Sequence, residues 1–134
     1  SGFDHALEMD RRVWEVMGKI QARAARRALH LPDDNSLETL QSCLELKFQA
    51  EDYDFRFDLP CNDQLSLTIT RCPWQEIIKK ADREHLGLKV ASEICPVDFG
   101  CWAREFEVEV DYNVSEGLCA GCPACVIRFV KSSG

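Results

Sequence analysis

This 134-residue chain contains eight cysteines, which are its residues best suited to bind a metal ion or to react as thiolates. Three of them form the segment Cys119-Ala-Gly-Cys122-Pro-Ala-Cys125, in which two CxxC spacings overlap. A CxxC loop can direct both of its sulfurs to one metal ion, at a Zn–S distance of about 2.3 Å. A tetrahedral zinc site needs four ligands, so this segment alone does not complete one.

Two distant cysteines could supply the missing ligands. Cys72 and Cys95 each stand directly before a proline, Pro73 and Pro96, and the Cys-Pro pair predicts a helix start in both places. A thiol at a helix N-terminus lies at the positive end of the helix dipole, which favours the metal-binding thiolate. The sequence therefore predicts a closed four-thiolate site from three segments, made by Cys72, Cys95, Cys119 and Cys122, in which Cys125 can replace one ligand.

Four thiolates suit zinc first and an iron–sulfur cluster second. Two other interpretations stay open, namely that the cysteines are buried small apolar residues, or that Cys119 and Cys122 act as a redox or nucleophilic pair. Structural disulfides are a further alternative for an even cysteine count. The first residues of the chain show no export signal, so we expect a cytoplasmic protein with reduced thiols.

Two arginines lie close to these cysteines and to aromatic residues. Arg71 is near Trp74, and Arg104 is near Trp102. An arginine beside an aromatic wall can bind a small carboxylate, so these four residues are the predicted ligand-binding residues. The alternative is that each arginine stacks on its tryptophan as part of the structure.

The composition excludes several classes of partner. Lys and Arg number 16 and Asp and Glu number 23, which gives a net charge of −7. Nucleic-acid binding needs a basic surface, so this acidic chain predicts no nucleic-acid partner. No apolar run reaches the length of about 20 residues that a membrane span requires, so we expect no membrane partner either.

Apolar spacing predicts the elements that position these residues. Two amphipathic helices are expected at about 4–31 and 36–49, the first with an apolar stripe that includes Leu7, Trp14 and Met17. Alternation predicts strands at 53–59 and 65–70, then at 105–112 and 124–130. Between the two strand pairs we expect a helix from Pro73 to about residue 85, ended by Gly87, and another that starts at Pro96.

The predicted order is α-α-β-β-α-α-β-β, without the βαβ spacing of a parallel sheet. We therefore expect an α+β fold, in which an antiparallel sheet of two hairpins packs against helices in a single domain over residues 1–134.

Four segments of the chain carry a family resemblance: residues 9–23, 70–76, 94–96 and 119–125. They resemble an uncharacterised family of bacterial and archaeal cytosolic proteins. That family is distantly similar to L-2-amino-thiazoline-4-carboxylate hydrolase-like proteins and to 4-vinyl reductase-type ligand-binding domains. The resemblance implies a small-molecule site beside a cysteine-bearing last hairpin, and it assigns no catalytic residue. It also implies that relatives carry an extra N-terminal helical segment, so the resemblance predicts that the domain over residues 1–134 lacks that segment.

Three functions follow as hypotheses. The first is a cysteine-rich module that binds a small organic ligand and holds a metal through its thiolates. The second is a hydrolase acting on a small cyclic C–N substrate, in which a metal with an open position, or a thiolate of Cys72 or Cys95, performs the chemistry. The third is a homodimeric interaction domain whose first helix forms the interface through Leu7, Trp14 and Met17.

Overall fold

The computed structural model describes residues 2–31 and 35–131, apart from the side chains of Glu84 and Val114. The elements follow the predicted order: α1 (Gly2–Ala28), α2 (Leu37–Ala50), β1 (Asp54–Cys61), β2 (Gln64–Arg71), α3 (Pro73–Lys80), α4 (Glu84–Glu105), β3 (Glu109–Tyr112) and β4 (Cys125–Val130). Two short 3-10 turns, Val114–Glu116 and Leu118–Ala120, connect β3 to β4. The α+β fold class is therefore confirmed.

The four strands form one antiparallel sheet in the order β1-β2-β4-β3. The two hairpins meet where β2 pairs with β4, and Leu67 there lies opposite Ile127. This arrangement places the cysteine-bearing start of β4 beside the end of β2, because Cys125 is the register partner of Ile69. Cys72 follows Arg71, the last residue of β2, at the same end of the sheet.

One face of the sheet carries the core. Leu65, Leu67, Ile127 and Phe129 of the central strands are fully buried. Both α2 and α4 contact the sheet, while α1 packs on α4 and α2. The stripe predicted for α2 is confirmed, since these four residues are buried: Leu37, Leu40, Leu44 and Phe48.

The predicted boundary between the two middle helices is wrong. Gly87 and Pro96 both lie inside α4, which runs unbroken for 22 residues from Glu84 to Glu105. The N–H that Pro96 lacks would have bonded to the carbonyl of Ser92, and both residues are exposed, so water can satisfy that carbonyl. Cys95 therefore lies within a helix and not at its N-terminus.

The N-cap of α2 is Ser36, whose hydroxyl accepts from the Thr39 N–H at 3.1 Å. Two smaller expectations change. The strand expected from residue 105 begins at Glu109, because α4 continues to Glu105. The buried stripe of α1 consists of Leu7, Gly18, Ala22 and Ala25.

No helix among the described residues is long and apolar enough to span a membrane.

Candidate functional site

The site begins with four cysteines from four segments, which we call the thiol cluster: Cys72, Cys95, Cys119 and Cys125. Cys72 is the N-cap of α3 with Pro73 at the first helical position, as the sequence predicts. Cys95 lies in α4, Cys119 in the second 3-10 turn, and Cys125 at the first position of β4. The four thiols are therefore held by elements that are far apart in the sequence.

Burial and neighbouring thiols raise the pKa of two members of the cluster. Burial, followed by the charges of Cys72, Cys119 and Cys125, raises the pKa of Cys95 well above that of a free thiol. Burial, followed by the charges of Cys72 and Cys125, raises the pKa of Cys119 to about 11. At neutral pH these two thiols are therefore protonated unless a cation compensates their charge.

Hydrogen-bond donors and tyrosines surround the thiol cluster. The Leu118 N–H donates to Cys125 Sγ at 3.2 Å, and the Tyr112 hydroxyl lies 3.9 Å from the same sulfur. Tyr53 Oη lies 3.8 Å from Cys72 Sγ. Donors directed at sulfur stabilise the thiolate form and are typical of the surroundings of metal-ligating cysteines.

The cluster is not a preformed coordination sphere. Within the part of the chain that the structure describes, no group of three or more His, Cys, Asp or Glu side chains is already arranged to hold a metal ion. All eight cysteines are free, and no disulfide links any pair.

Cys122 lies apart from the cavity-lining thiols. It interacts with Cys125 and is half-buried, but it is not among the described residues that line the cavity beside the cluster. Gly121 adopts a left-handed conformation with φ of 90° and separates Cys122 from the turn that holds Cys119. The assignment of Cys122 as a ligand stays a prediction, and Cys125 is the better-placed alternative.

A cavity of about 100 Å³ opens beside the thiol cluster, and Cys72, Cys95 and Cys119 form part of its wall. We call it the thiol cavity. Most of its surface is apolar, with five aromatic residues in its lining: Trp14, Phe48, Tyr53, Trp74 and Phe99. Concave apolar sites of this kind with a few convergent polar groups bind small molecules.

Charged side chains of three helices meet on one side of the thiol cavity. Asp10 of α1, Glu51 after α2 and Asp98 of α4 all line it. Lys47 of α2, whose side chain is 4% exposed, pairs with Glu51 Oε2 at 2.8 Å and with Asp98 Oδ2 at 3.4 Å. Burial raises the pKa of Asp98 above its usual range despite this pairing.

The four predicted ligand-binding residues do not converge. Only Trp74 is among the described residues that line the thiol cavity. Arg71 is held by carboxylates of the protein itself, Asp54 at 3.2 Å and Glu76 at 2.7 Å.

The second predicted arginine–tryptophan pair, Arg104 and Trp102, is not among the described residues that line the thiol cavity. Trp102 is fully buried and stacks on Phe106, and Arg104 lies 3.3 Å from Cys101 Sγ. The role of these residues in ligand binding stays a prediction. The Arg71 guanidinium is already paired with Asp54 and Glu76.

Sequence reasoning did not predict that Lys47 and Glu51 join Asp98 at the cavity. Lys47 and Glu51 are four residues apart at the end of α2, but no spacing in the sequence links this pair to Asp98 of α4. Trp14 was assigned only to an apolar stripe, although its helical position brings it to the cavity wall.

Comparison with known proteins identifies no matching family model, no similar curated protein and no similar solved structure. The chemistry of the site therefore has to be argued from its own residues.

Proposed function

We propose that this domain binds a small organic molecule in the thiol cavity and holds a metal ion, zinc first, through the thiol cluster. The observation that supports this proposal is that Cys72, Cys95 and Cys119, from three chain segments, line one apolar cavity, while Cys125 accepts from the Leu118 N–H next to Cys119. Buried cysteines are common as packing residues, but three of them in the wall of one cavity favour a shared role.

The donor set fits zinc. Four sulfur ligands give a closed tetrahedral site that serves folding, whereas three protein ligands with a water molecule would serve catalysis. Because the metal replaces thiol protons, it would also remove the unfavourable interaction that raises the pKa of Cys95 and Cys119. An iron–sulfur cluster is the second candidate for the same four sulfurs. Reduced thiols of this kind fit a reducing compartment such as the cytoplasm.

The hydrolase alternative meets one obstacle at Cys95. A nucleophilic cysteine needs a lowered pKa, but burial raises the pKa of Cys95, and the residue lies inside α4 rather than at a helix start. Cys72 keeps its position before the first turn of α3. A hydrolase would therefore depend on Cys72 or on a metal ion with one open position.

The residues predicted to form a homodimer interface differ from the apolar residues that α1 exposes. Leu7 is buried and Trp14 and Met17 are half-buried, so these three do not form an exposed stripe. Four exposed apolar residues of α1 lie on another face: Met9, Val13, Val16 and Ile20. Self-association through α1 stays a prediction, which sedimentation equilibrium would exclude if the protein is a monomer at all concentrations.

The test is metal content in single cysteine variants of the full chain, purified without oxygen. We expect about one zinc per wild-type chain and little metal in Cys95→Ser or Cys125→Ser, because a site that loses one of four thiolates binds zinc much more weakly. Cys61→Ser is the matched control, since Cys61 is exposed and lies at the end of β1, where its thiol donates to Asp63 Oδ1.

Cys122→Ser separates the two candidate ligand sets. Retained metal in this variant supports Cys125 as the fourth ligand, and lost metal supports the assignment made from the sequence. Wild-type protein that binds neither zinc nor iron, or Cys95→Ser protein with an unchanged metal content, would contradict the proposed metal site.

A further inference from the structure

The charged residues that line the thiol cavity are all acidic among the described residues. Asp10, Glu51 and Asp98 line it, and no Lys, Arg or His is among the described residues that do. Lys47 is not among these lining residues, but it pairs with Glu51 and Asp98 and donates a hydrogen bond to Gln21 Oε1 at 3.0 Å. One ammonium group thus pairs with two of the three carboxylates, so an excess of negative charge remains at the cavity.

Asp98 is the carboxylate whose hydrogen bonding is incomplete. Its Oδ2 faces Lys47, but its Oδ1 is buried and has no hydrogen-bond partner among the described residues. A buried polar atom without a partner is costly, and in native structures it often marks the place of a missing ligand. This oxygen lies on the α1 side of Asp98, 3.4 Å from a Cβ atom built on Gly18, so a donor from the cavity would reach it only at the edge of the α1–α4 contact.

The aromatic rings in the cavity wall also favour a cation. A cation above the face of a tryptophan, tyrosine or phenylalanine ring is attracted by the negative face of the ring. Lys47 Nζ already lies 5.6 Å from the centre of the Trp14 ring and 5.4 Å from that of Phe48, and both rings line the cavity. The same rings therefore border both an internal ammonium group and the space available to a ligand.

We infer that the ligand of the thiol cavity is a small organic cation, an amine with an apolar or aromatic body. The ammonium group would lie near Asp98 and Glu51, and the apolar body would pack on the aromatic wall. This cavity of about 100 Å³ is smaller than the cavity of about 150 Å³ that holds benzene, so part of an aromatic ligand would extend from its mouth. This inference rests on the proposed ligand-binding function and names the chemical class of the ligand.

A filled thiol cluster would strengthen the same preference. Four thiolates and one Zn²⁺ carry a net charge of −2, and three of the four sulfurs belong to cavity-lining residues. A carboxylate ligand, which the sequence suggested through Arg71, would meet repulsion here, because Arg71 is paired with Asp54 and Glu76 and is not among the described lining residues.

Three one-ring probes of similar size and different charge test this inference: benzylammonium, benzyl alcohol and benzoate. Binding to the full chain is followed at pH 7 by tryptophan fluorescence, since Trp14 and Trp74 line the cavity. We expect benzylammonium to bind about tenfold more tightly than benzyl alcohol, because a charge-assisted hydrogen bond and a cation–π contact are added. Benzoate should bind most weakly.

Charge-removing variants show where the preference arises. Asp98→Asn and Glu51→Gln should each weaken benzylammonium binding about tenfold and leave benzyl alcohol binding unchanged. Asp111→Asn is the matched control, because Asp111 lies on β3 and its side chain is 74% exposed. Unchanged affinity for benzyl alcohol also shows that the cavity of each variant is intact.

The outcomes separate this inference from the function on which it rests. Equal binding of benzylammonium and benzyl alcohol, or preference for benzoate, would overturn the cationic ligand and leave a small-molecule cavity in place. Binding of none of the three probes would overturn both. Loss of benzylammonium affinity in Asp111→Asn would show that net charge alone, and not the cavity, produces the effect.

Discussion

Asp98 is a largely buried carboxylate whose two oxygens do not both have a polar partner among the described residues. It lies in α4, faces Lys47 through one oxygen, and leaves the other oxygen buried and unbonded among the described residues. Burial raises its pKa, so its ionised form is less favourable in the folded chain than in the unfolded chain. A residue retained under these conditions costs stability, which fits a role in binding more than a role in folding.

The pH dependence of stability tests this description. Because the pKa of Asp98 is higher in the folded chain, its folded form binds a proton more tightly, and stability is lost as pH rises from about 4 through the raised value. We expect Asp98→Asn to lack this loss, so its free energy of unfolding should improve relative to wild type between pH 4 and pH 7. Urea unfolding at several pH values measures the difference, and a difference that does not change with pH would contradict the raised pKa.

Individual residues show what the sequence could and could not predict about the site. Cys72 was correctly placed before a helix start because the Cys-Pro pair is a local signal. Arg71 was assigned to a ligand from its neighbours in sequence, but its partners Asp54 and Asp52 come from the preceding hairpin strand and turn. Local spacing cannot show such pairing, because the register of β1 on β2 decides it.

At the scale of elements, helix α4 is the clearest departure from the prediction. A proline and a glycine predicted two boundaries, yet the helix continues through both because tertiary packing outweighs local preference. Phe99, Trp102 and Ala103 of this helix are buried in the core. The continuous helix carries Cys95 and Asp98 on successive turns, which is why the thiol cluster and the acidic group share one cavity.

The contact between α1 and α4 depends on a glycine. A Cβ atom built on Gly18 would lie 2.6 Å from Cys101 Cβ, a distance at which one of the two helices must shift. We expect Gly18→Ala to lower the free energy of unfolding by about 1–3 kcal/mol, as overpacking does in other cores. Chemical denaturation measures this loss.

Gly100→Ala provides the control for this variant. Gly100 also lies in α4, and a Cβ atom there would meet only Arg104 Nη1, at an ordinary contact distance of 3.8 Å. This substitution should stabilise the helix by up to about 1 kcal/mol, because alanine has the higher helix propensity. A Gly18→Ala protein as stable as Gly100→Ala would show that the two helices do not pack this closely.

For the whole molecule, the order of elements was predictable, but the meeting of the cysteines was not. Alternation and helical spacing are properties of short segments, and they predicted the α+β class and the two hairpins correctly. The sheet order β1-β2-β4-β3 depends on which hairpin edges join. That pairing brings Cys125 beside Ile69, close to the end of β2 and to Cys72, and no local spacing in the sequence predicts it.

Metal binding at the thiol cluster should therefore stabilise the entire fold. The four cysteines connect the end of β2, helix α4, the second 3-10 turn and the start of β4. A ligand that binds only the folded chain, at about 1,000 times its dissociation constant, adds about 4 kcal/mol. For a domain of this size that corresponds to a rise in melting temperature of about 10 °C or more.

Thermal unfolding of zinc-loaded protein with and without a chelator measures this effect. We expect the chelator to lower the melting temperature of wild type and of Cys61→Ser to the same extent, because Cys61 is exposed and lies outside the thiol cluster. Cys125→Ser should melt at one temperature under both conditions, since it has no complete site to empty. A wild-type melting temperature that the chelator leaves unchanged would mean that the thiols do not join these elements through a metal ion.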